Sequence, residues 1–152
     1  MPYEIVIGDI SNLSFHVDVI VTLAHPTPGE VGYGVDRAIY RRTGDQLKED
    51  RRRMGPFVRG GMIMTSSYGL NADRLIHVLV PFYQNGEQGE QEALRKCYDQ
   101  VLTMDSIVMK HIEMGDYDIH SINADLESQG LMPFCVKTRK SKKTDEVLSQ
   151  RL

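Results

Sequence analysis

The run Val17-Asp18-Val19-Ile20-Val21 constrains the fold most strongly. It is short, β-branched and almost continuously apolar, which suits a strand covered on both faces rather than one with a wet side. A strand buried on both faces needs a layer above it and a layer below it, so the rest of the chain has to supply helices. The next segment, residues 26–34, gathers Pro26, Pro28, Gly29, Gly32 and Gly34, more backbone-special residues than a helix or a strand accepts. From Val35 the spacing of Val35, Ala38, Ile39 and Leu47 is helical, with Gly44 where one helix stops or bends toward the next. A buried strand therefore runs into a glycine-rich loop that feeds a helix.

The same patterns recur downstream. Residues 3–7 read as a strand ending at a Gly8-Asp9 turn, and residues 62–64 and 75–80 read as two more, separated by turn residues around Gly69 and Asn71 and closed by Pro81. Residues 91–104 place Ala93, Leu94, Cys97, Val101 and Leu102 on one face of an amphipathic helix. Residues 106–112 have β-like apolar content, Ile119, Ile122 and Leu126 keep helical spacing before Gly130, and residues 132–137 alternate like a strand. Thr144 is positioned to cap a last helix burying Val147, Leu148 and Leu152. Strands alternating with helices predict a three-layer α/β/α domain with a central mixed sheet. With 152 residues the expectation is a single domain over 1–152, able to bury roughly 70% of its unfolded surface.

A formal net charge of -3 argues against a nucleic-acid binder, since such binding rests on a surplus of Lys and Arg to neutralise phosphates. The basic runs at 51–53 and 137–143 read as a solvated helix face and a surface loop. Cys97 and Cys135 both sit in apolar patterns and read as buried free thiols of a reducing, cytoplasmic compartment. The N-terminus lacks a basic start followed by a long apolar run, and no stretch reaches the ~20 apolar residues of a membrane span. The five histidines, His16, His25, His77, His111 and His120, show no metal-ligand spacing, and His77 lies inside an apolar strand as a core residue would. Neither a metal nor a cofactor is expected.

The strongest local chemistry is Gly32-Tyr33-Gly34 at the start of a helix, because free backbone N–H groups and the helix dipole together form a site for a diphosphate. The bland alternative is a plain turn into a helix. Asp36, in the first helical turn, is stabilised by the dipole with or without a catalytic role. Gly8-Asp9 likewise has a simple reading as a turn.

Taken together and in order, Gly8-Asp9-Ile10, Asp18-Val19-Ile20-Val21 and Gly32-Tyr33-Gly34-Val35-Asp36-Arg37-Ala38-Ile39 resemble the front half of a macro domain. The resemblance continues through residues 65–68, through Ile76-His77-Val78 and through Gly86-Glu87-Gln88 ahead of the helix with Leu94 and Tyr98, and it covers residues 3–104. It implies a cleft above the sheet that holds ADP-ribose or an ADP-ribosylated protein or small molecule. In that frame Asp9 accepts from the adenine amino group beside the main chain of Ile10, and Gly32, Tyr33, Gly34 and Val35 surround the diphosphate. Ala24 and His25 stand near the distal ribose, and Asp36 is the candidate catalytic acid. A carboxylate only accepts, so Asp9 selects an amino-bearing base.

Two departures bear on activity. The strand ends Val21-Thr22-Leu23-Ala24-His25 where many members carry Asn-Ala-Ala-Asn, and Tyr40 replaces a common histidine. Histidine lacks the fixed donor and acceptor pair of an amide, so hydrolysis is expected to be weak or absent. The second phosphate loop, which in the family follows the fifth strand, matches Ile112-Glu113-Met114-Gly115-Asp116-Tyr117 best, making Gly115, Asp116 and Tyr117 candidate ligand contacts. The rival match is Ser128-Gln129-Gly130 with Phe134. Under the first match Glu113, Asp116 and Asp118 crowd the loop and weaken a bound anion. Three functions stay open: a binding module for ADP-ribose, an ADP-ribosyl hydrolase, and a scaffold that has lost the nucleotide.

Overall fold

The computed structural model describes residues 4–56, 58–115 and 118–131. The strand expected at residues 17–21 forms as β1 (Val17–Leu23), but at the edge of the described sheet rather than its centre, with Val21 42% and Leu23 57% exposed instead of covered. The loop after it feeds α1 (Val35–Thr43) and α2 (Asp45–Met54). Gly44 separates the two helices with a φ of 70°, a left-handed backbone that favours glycine. The chain continues through β2 (Met62–Ser66), β3 (Ala72–Val78), α3 (Glu90–Glu113) and α4 (Ile119–Ser128), and a 3-10 turn at Ile10–Asn12 precedes β1. The strands lie in the order β1-β3-β2. β1 runs parallel to β3, with Val17 opposite Ala72 and Leu23 opposite Val78. β2 runs antiparallel to β3, with Met62 opposite Val78 and Ser66 opposite Arg74, so the sheet is mixed.

Alternation along β3 builds the layers. Leu75 packs with Ile20 of β1 against Ile39 and Tyr40 of α1 and Leu47 of α2. Ile76 and Val78 point the other way, joining Met62 and Met64 of β2 against Cys97, Met104 and Val108 of α3 and Ile122 and Leu126 of α4. The result is the expected α/β/α sandwich, each fully buried aliphatic side chain contributing about 1.5–3 kcal/mol. None of the described helices is long and apolar enough to cross a membrane.

Four further expectations are corrected. Residues 106–112 are not strand-like but continue α3, which runs unbroken for 24 residues. Cys97, Met104, Val108 and His111 are buried along it, with Val101 packed on the same core, a helical spacing of three and four that outweighs the β-branched content of Ile107 and Val108. On that helix Leu94 and Leu102 are exposed rather than buried, because the stripe facing the sheet is narrow. Residues 4–7 form no strand: Ile5 is 94% and Ile7 is 99% exposed, and β1, β3 and β2 are the only strands paired among the described residues. Local propensity suits a strand there, but no ladder receives it. Arg51, expected on a solvated face, is 2% exposed, since it lies four residues after the buried Leu47 and so on the same side of α2. Residues 132–137, including Phe134 and Cys135, and the helix expected after Thr144 lie outside the described residues.

Candidate functional site

The site grows from the C-terminal end of β1. Ala24 N–H donates to the Val78 carbonyl at 2.8 Å, extending the parallel pairing by one residue before the chain leaves the sheet. His25 then turns the backbone by accepting the Thr27 N–H at Nδ1, 3.1 Å away, which puts the ring proton of neutral His25 on Nε2. Gly29 is buried with a φ of +77°, and a Cβ there would fall on the side chain of Arg52. Gly32 N–H donates to Asp36 Oδ2 at 2.6 Å, so the loop closes over the first turn of the helix it precedes.

Gly34, with φ 60° and ψ -122°, sits at the helix start, and no side chain caps α1. The first N–H groups of α1 therefore have no partner of their own, and the dipole leaves a partial positive charge among them. Val35 is exposed, and Tyr33 is 85% exposed with the Arg37 guanidinium 5.1 Å from its ring centroid, an arrangement of cation over aromatic face. An uncapped N-terminus flanked by glycine and arginine is chemically suited to an anion.

Beneath this surface lies a buried polar cluster. Asp36 is 6% exposed, and its Oδ1 has no hydrogen-bond partner among the described residues. Burial pushes its carboxyl up from the usual range, opposed by the Gly32 N–H, by Arg51 and by His25. Tyr40, one turn on, is buried, shares a side-chain hydrogen bond with Arg51, and has its hydroxyl pushed up by burial. Arg51 Nη2 approaches the His25 carbonyl at 3.5 Å. Behind it His77 is fully buried and driven down to about 3, by burial first and Arg51 second. Thr65 Oγ1 donates its one proton to the Ser66 carbonyl at 3.0 Å, so at 2.9 Å it accepts from His77 Nε2, and His77 Nδ1 is left without a partner among the described residues.

The structure thus brings Ala24, His25, Gly32, Tyr33, Gly34, Val35 and Asp36 to one end of the sheet. Asp9 and Ile10 lie elsewhere. Arg42, near the C-terminal end of α1, is the cation whose field acts on Asp9, and eight residues of helix put it about 12 Å along the axis from Gly34. Asp9 accepts from Ser11 N at 2.9 Å and Ser11 Oγ at 2.7 Å, bonds that hold its carboxyl below the ordinary range. A pocket of about 420 Å³ opens at this second end, lined among others by Ser11, Asn12, Arg41, Arg42 and Asn71.

Gly115 is farther away. Arg74, in the first half of β3, bonds Asp105 and touches Met109, so α3 has passed the start of β3 before it reaches residue 115. Gly115 is the left-handed end of α3, with φ 71° and its N–H on the Ile112 carbonyl at 3.0 Å, and it follows a helix where a strand was expected. Asp116 and Tyr117 lie outside the described residues. In the rival match, Gln129 and Gly130 close the end of α4. Sequence reasoning missed Arg51 and Thr65, and only the four-residue step from Leu47 signalled the first.

The Macro domain family model matches residues 24–124. The chain is 39% identical over 97 residues to a macro domain-containing protein of Methanosarcina mazei, covering 64% of this chain and 50% of that one. It is 38% identical over 99 residues to an O-acetyl-ADP-ribose deacetylase of an Enterobacter species, covering 62% and 53%. It spans about half the length of these curated relatives. Among solved structures, the macrodomain of Oceanobacillus iheyensis with ADP aligns over 95% of this chain and 86% of its own, with a TM-score of 0.57 at 22% identity.

Proposed function

This chain belongs to the macro domain family, and from that premise we propose that it binds ADP-ribose or an ADP-ribosylated partner, with hydrolysis weak or absent. One observation carries the reading: the uncapped N-terminus of α1 follows Gly34 directly, over a buried Asp36 already tied to the Gly32 N–H. A diphosphate there meets unpartnered amides and the positive end of the dipole. The separation of Asp9 from this loop fits a long ligand, because ADP-ribose carries adenine and the distal ribose at opposite ends of its diphosphate. The cytoplasm is the proposed setting, and with a net charge of -3 the proposed partner is not a nucleic acid.

Weak catalysis follows from how the residues at the end of β1 are used. Thr22 is buried with its hydroxyl directed to the Leu23 carbonyl, and His25 Nδ1 already holds the Thr27 amide. Neither group offers the donor and acceptor pair that would fix an attacking water next to Asp36. The rival reading is an active hydrolase, favoured by the name of the Enterobacter relative and by Asp36 itself. Calorimetry with ADP-ribose, paired with release of ADP-ribose from a modified protein, separates the two. Binding without turnover supports the module, turnover supports the hydrolase, and no binding at millimolar ligand leaves a scaffold acting through protein contacts.

A further inference from the structure

The arginine run on α2 is split by the fold. Arg52 and Arg53 are exposed and pair with Glu49, and Arg53 also with Asp50, whereas Arg51 is buried. Taking a guanidinium out of water is costly and is sustained only where several partners meet it. Its three partners come from two elements: the His25 carbonyl in the loop after β1, at 3.5 Å; and, on α1, Tyr40 through a side-chain hydrogen bond and the Asp36 carboxylate through its field. Its neighbour Arg52 lies against Gly29 in the same loop. α2 thus grips the loop at two places, through Arg51 from inside and Arg52 at the surface.

We propose that Arg51 is a positioning residue of this site, holding the His25 carbonyl and favouring the charged form of the Asp36 carboxylate inside a desolvated pocket. Its effect on ligand binding rests on the ADP-ribose reading above; its effect on Asp36 does not. The groups facing Asp36 are the Gly32 N–H and His25 from the loop, Tyr40 from its own helix and Arg51 from α2. His77, from β3, faces Arg51 and is neutral. Of these, Arg51 alone carries a charge that no ordinary pH removes. With Oδ1 unpartnered, the Asp36 anion depends on the Gly32 N–H, on that field and on His25. An uncharged Asp36 could no longer serve purely as an acceptor for a ribose hydroxyl or a water.

The test follows the Asp36 carboxyl carbon and the Arg51 guanidinium by NMR across pH in the full chain, with Arg51→Lys and Arg51→Met alongside. In the wild type the two resonances should titrate with one midpoint. Arg51→Met should raise that of Asp36 and, by the same reading, weaken ADP-ribose about tenfold, the equivalent of one pK unit. Arg51→Lys should restore the Asp36 midpoint more than the His25 carbonyl-carbon shift, since it returns charge without the planar fork. An Arg51 signal that stays flat through the Asp36 titration, or identical Asp36 midpoints in wild type and Arg51→Met, would overturn the proposal. If Arg51→Met does not fold, the wild-type titration and Arg51→Lys still decide. If the wild type binds no ADP-ribose, the binding reading fails while the Asp36 midpoints judge Arg51 alone.

Discussion

The Arg74 guanidinium on β3 donates to the Asp105 carboxylate on α3 across 2.7 Å, with the arginine side chain 4% exposed and the aspartate 31% exposed. This pair fixes the height of α3 over the sheet. Because Arg74 Nε has no partner of its own among the described residues, Asp105 supplies most of the compensation for that buried charge. Asp105→Ala should destabilise the protein by about 2–3 kcal/mol, less than a fully buried pair because the aspartate is partly screened by water. Urea midpoints at neutral pH measure it. The double variant Arg74→Met/Asp105→Leu should recover part of the loss, since no charge then remains buried; an equal or larger loss would contradict this account.

His16 ties the approach to β1 to the turn between β2 and β3. Its Nδ1 faces Asn71 Oδ1 at 3.1 Å and its Nε2 faces Asp73 Oδ1 at 2.9 Å. The Asn71 amide is oriented by its own donation to the Leu13 carbonyl, so both ring nitrogens face acceptors and the clamp requires the imidazolium. The Asn71 and Asp73 bonds accordingly raise the His16 pKa. A raised value in the folded state means the stabilisation is complete below the ordinary imidazole range and is lost as pH climbs through the folded value. The stability gap between wild type and His16→Gln should therefore be wider at pH 6 than at pH 9. A gap that widens with alkali would show the sign to be wrong.

His77 predicts the opposite slope. Held neutral down to about 3, it takes up its proton readily only in the unfolded chain, so its contribution is present above the ordinary imidazole range and falls away as pH drops toward the folded value. Over that interval wild-type stability should decline by up to about 1.4 kcal/mol per pH unit more than that of His77→Gln. Parallel denaturation curves for the two proteins between pH 4 and 6.5 would mean that His77 is hydrated.

For catalysis, His25→Asn returns a neutral donor and acceptor to the end of β1. If the acid beside it is poised for water, this variant should release ADP-ribose from a modified protein faster than the wild type, by roughly ten- to a hundredfold, the range that positioning a reacting group commands. Adding Asp36→Ala should abolish the gain. Robust turnover by the natural sequence that survives Asp36→Ala would remove both the weak-enzyme reading and the role given to this carboxylate.

What the sequence made legible was local. β1, the bend at Gly44, β2, β3 and α4 each announce themselves within a few residues, by apolar runs, glycine or helical spacing. The loop end of the site was readable for the same reason, since residues 24–36 are contiguous. Misreadings arose where a distant partner decides. Residues 4–7 have the composition of a strand but no ladder to join, and residues 106–112 have β-branched content but a buried stripe that continues the helix before them. Three adjacent arginines look solvated until the position of Leu47 shows which of them turns inward. The location of Gly115 depends on the length of α3, which no motif states.

The parallel pairing of β1 with β3 sets the order in which this molecule can assemble. Val17 and Ala72 are register partners yet stand 72 − 17 = 55 positions apart, so their union must first overcome the closure entropy of a long loop. The helix pairs α1–α2 and α3–α4 join neighbours in the chain and meet almost without that cost. The α1–α2 and α3–α4 pairs and the local β2–β3 hairpin are therefore expected to form before the β1–β3 pairing, and the junction of Ala24 with Val78, where the glycine loop springs from β1, belongs to the slow, non-local phase. Nascent chains would hold their helices before β1 joins β3, leaving the candidate site among the late products of folding.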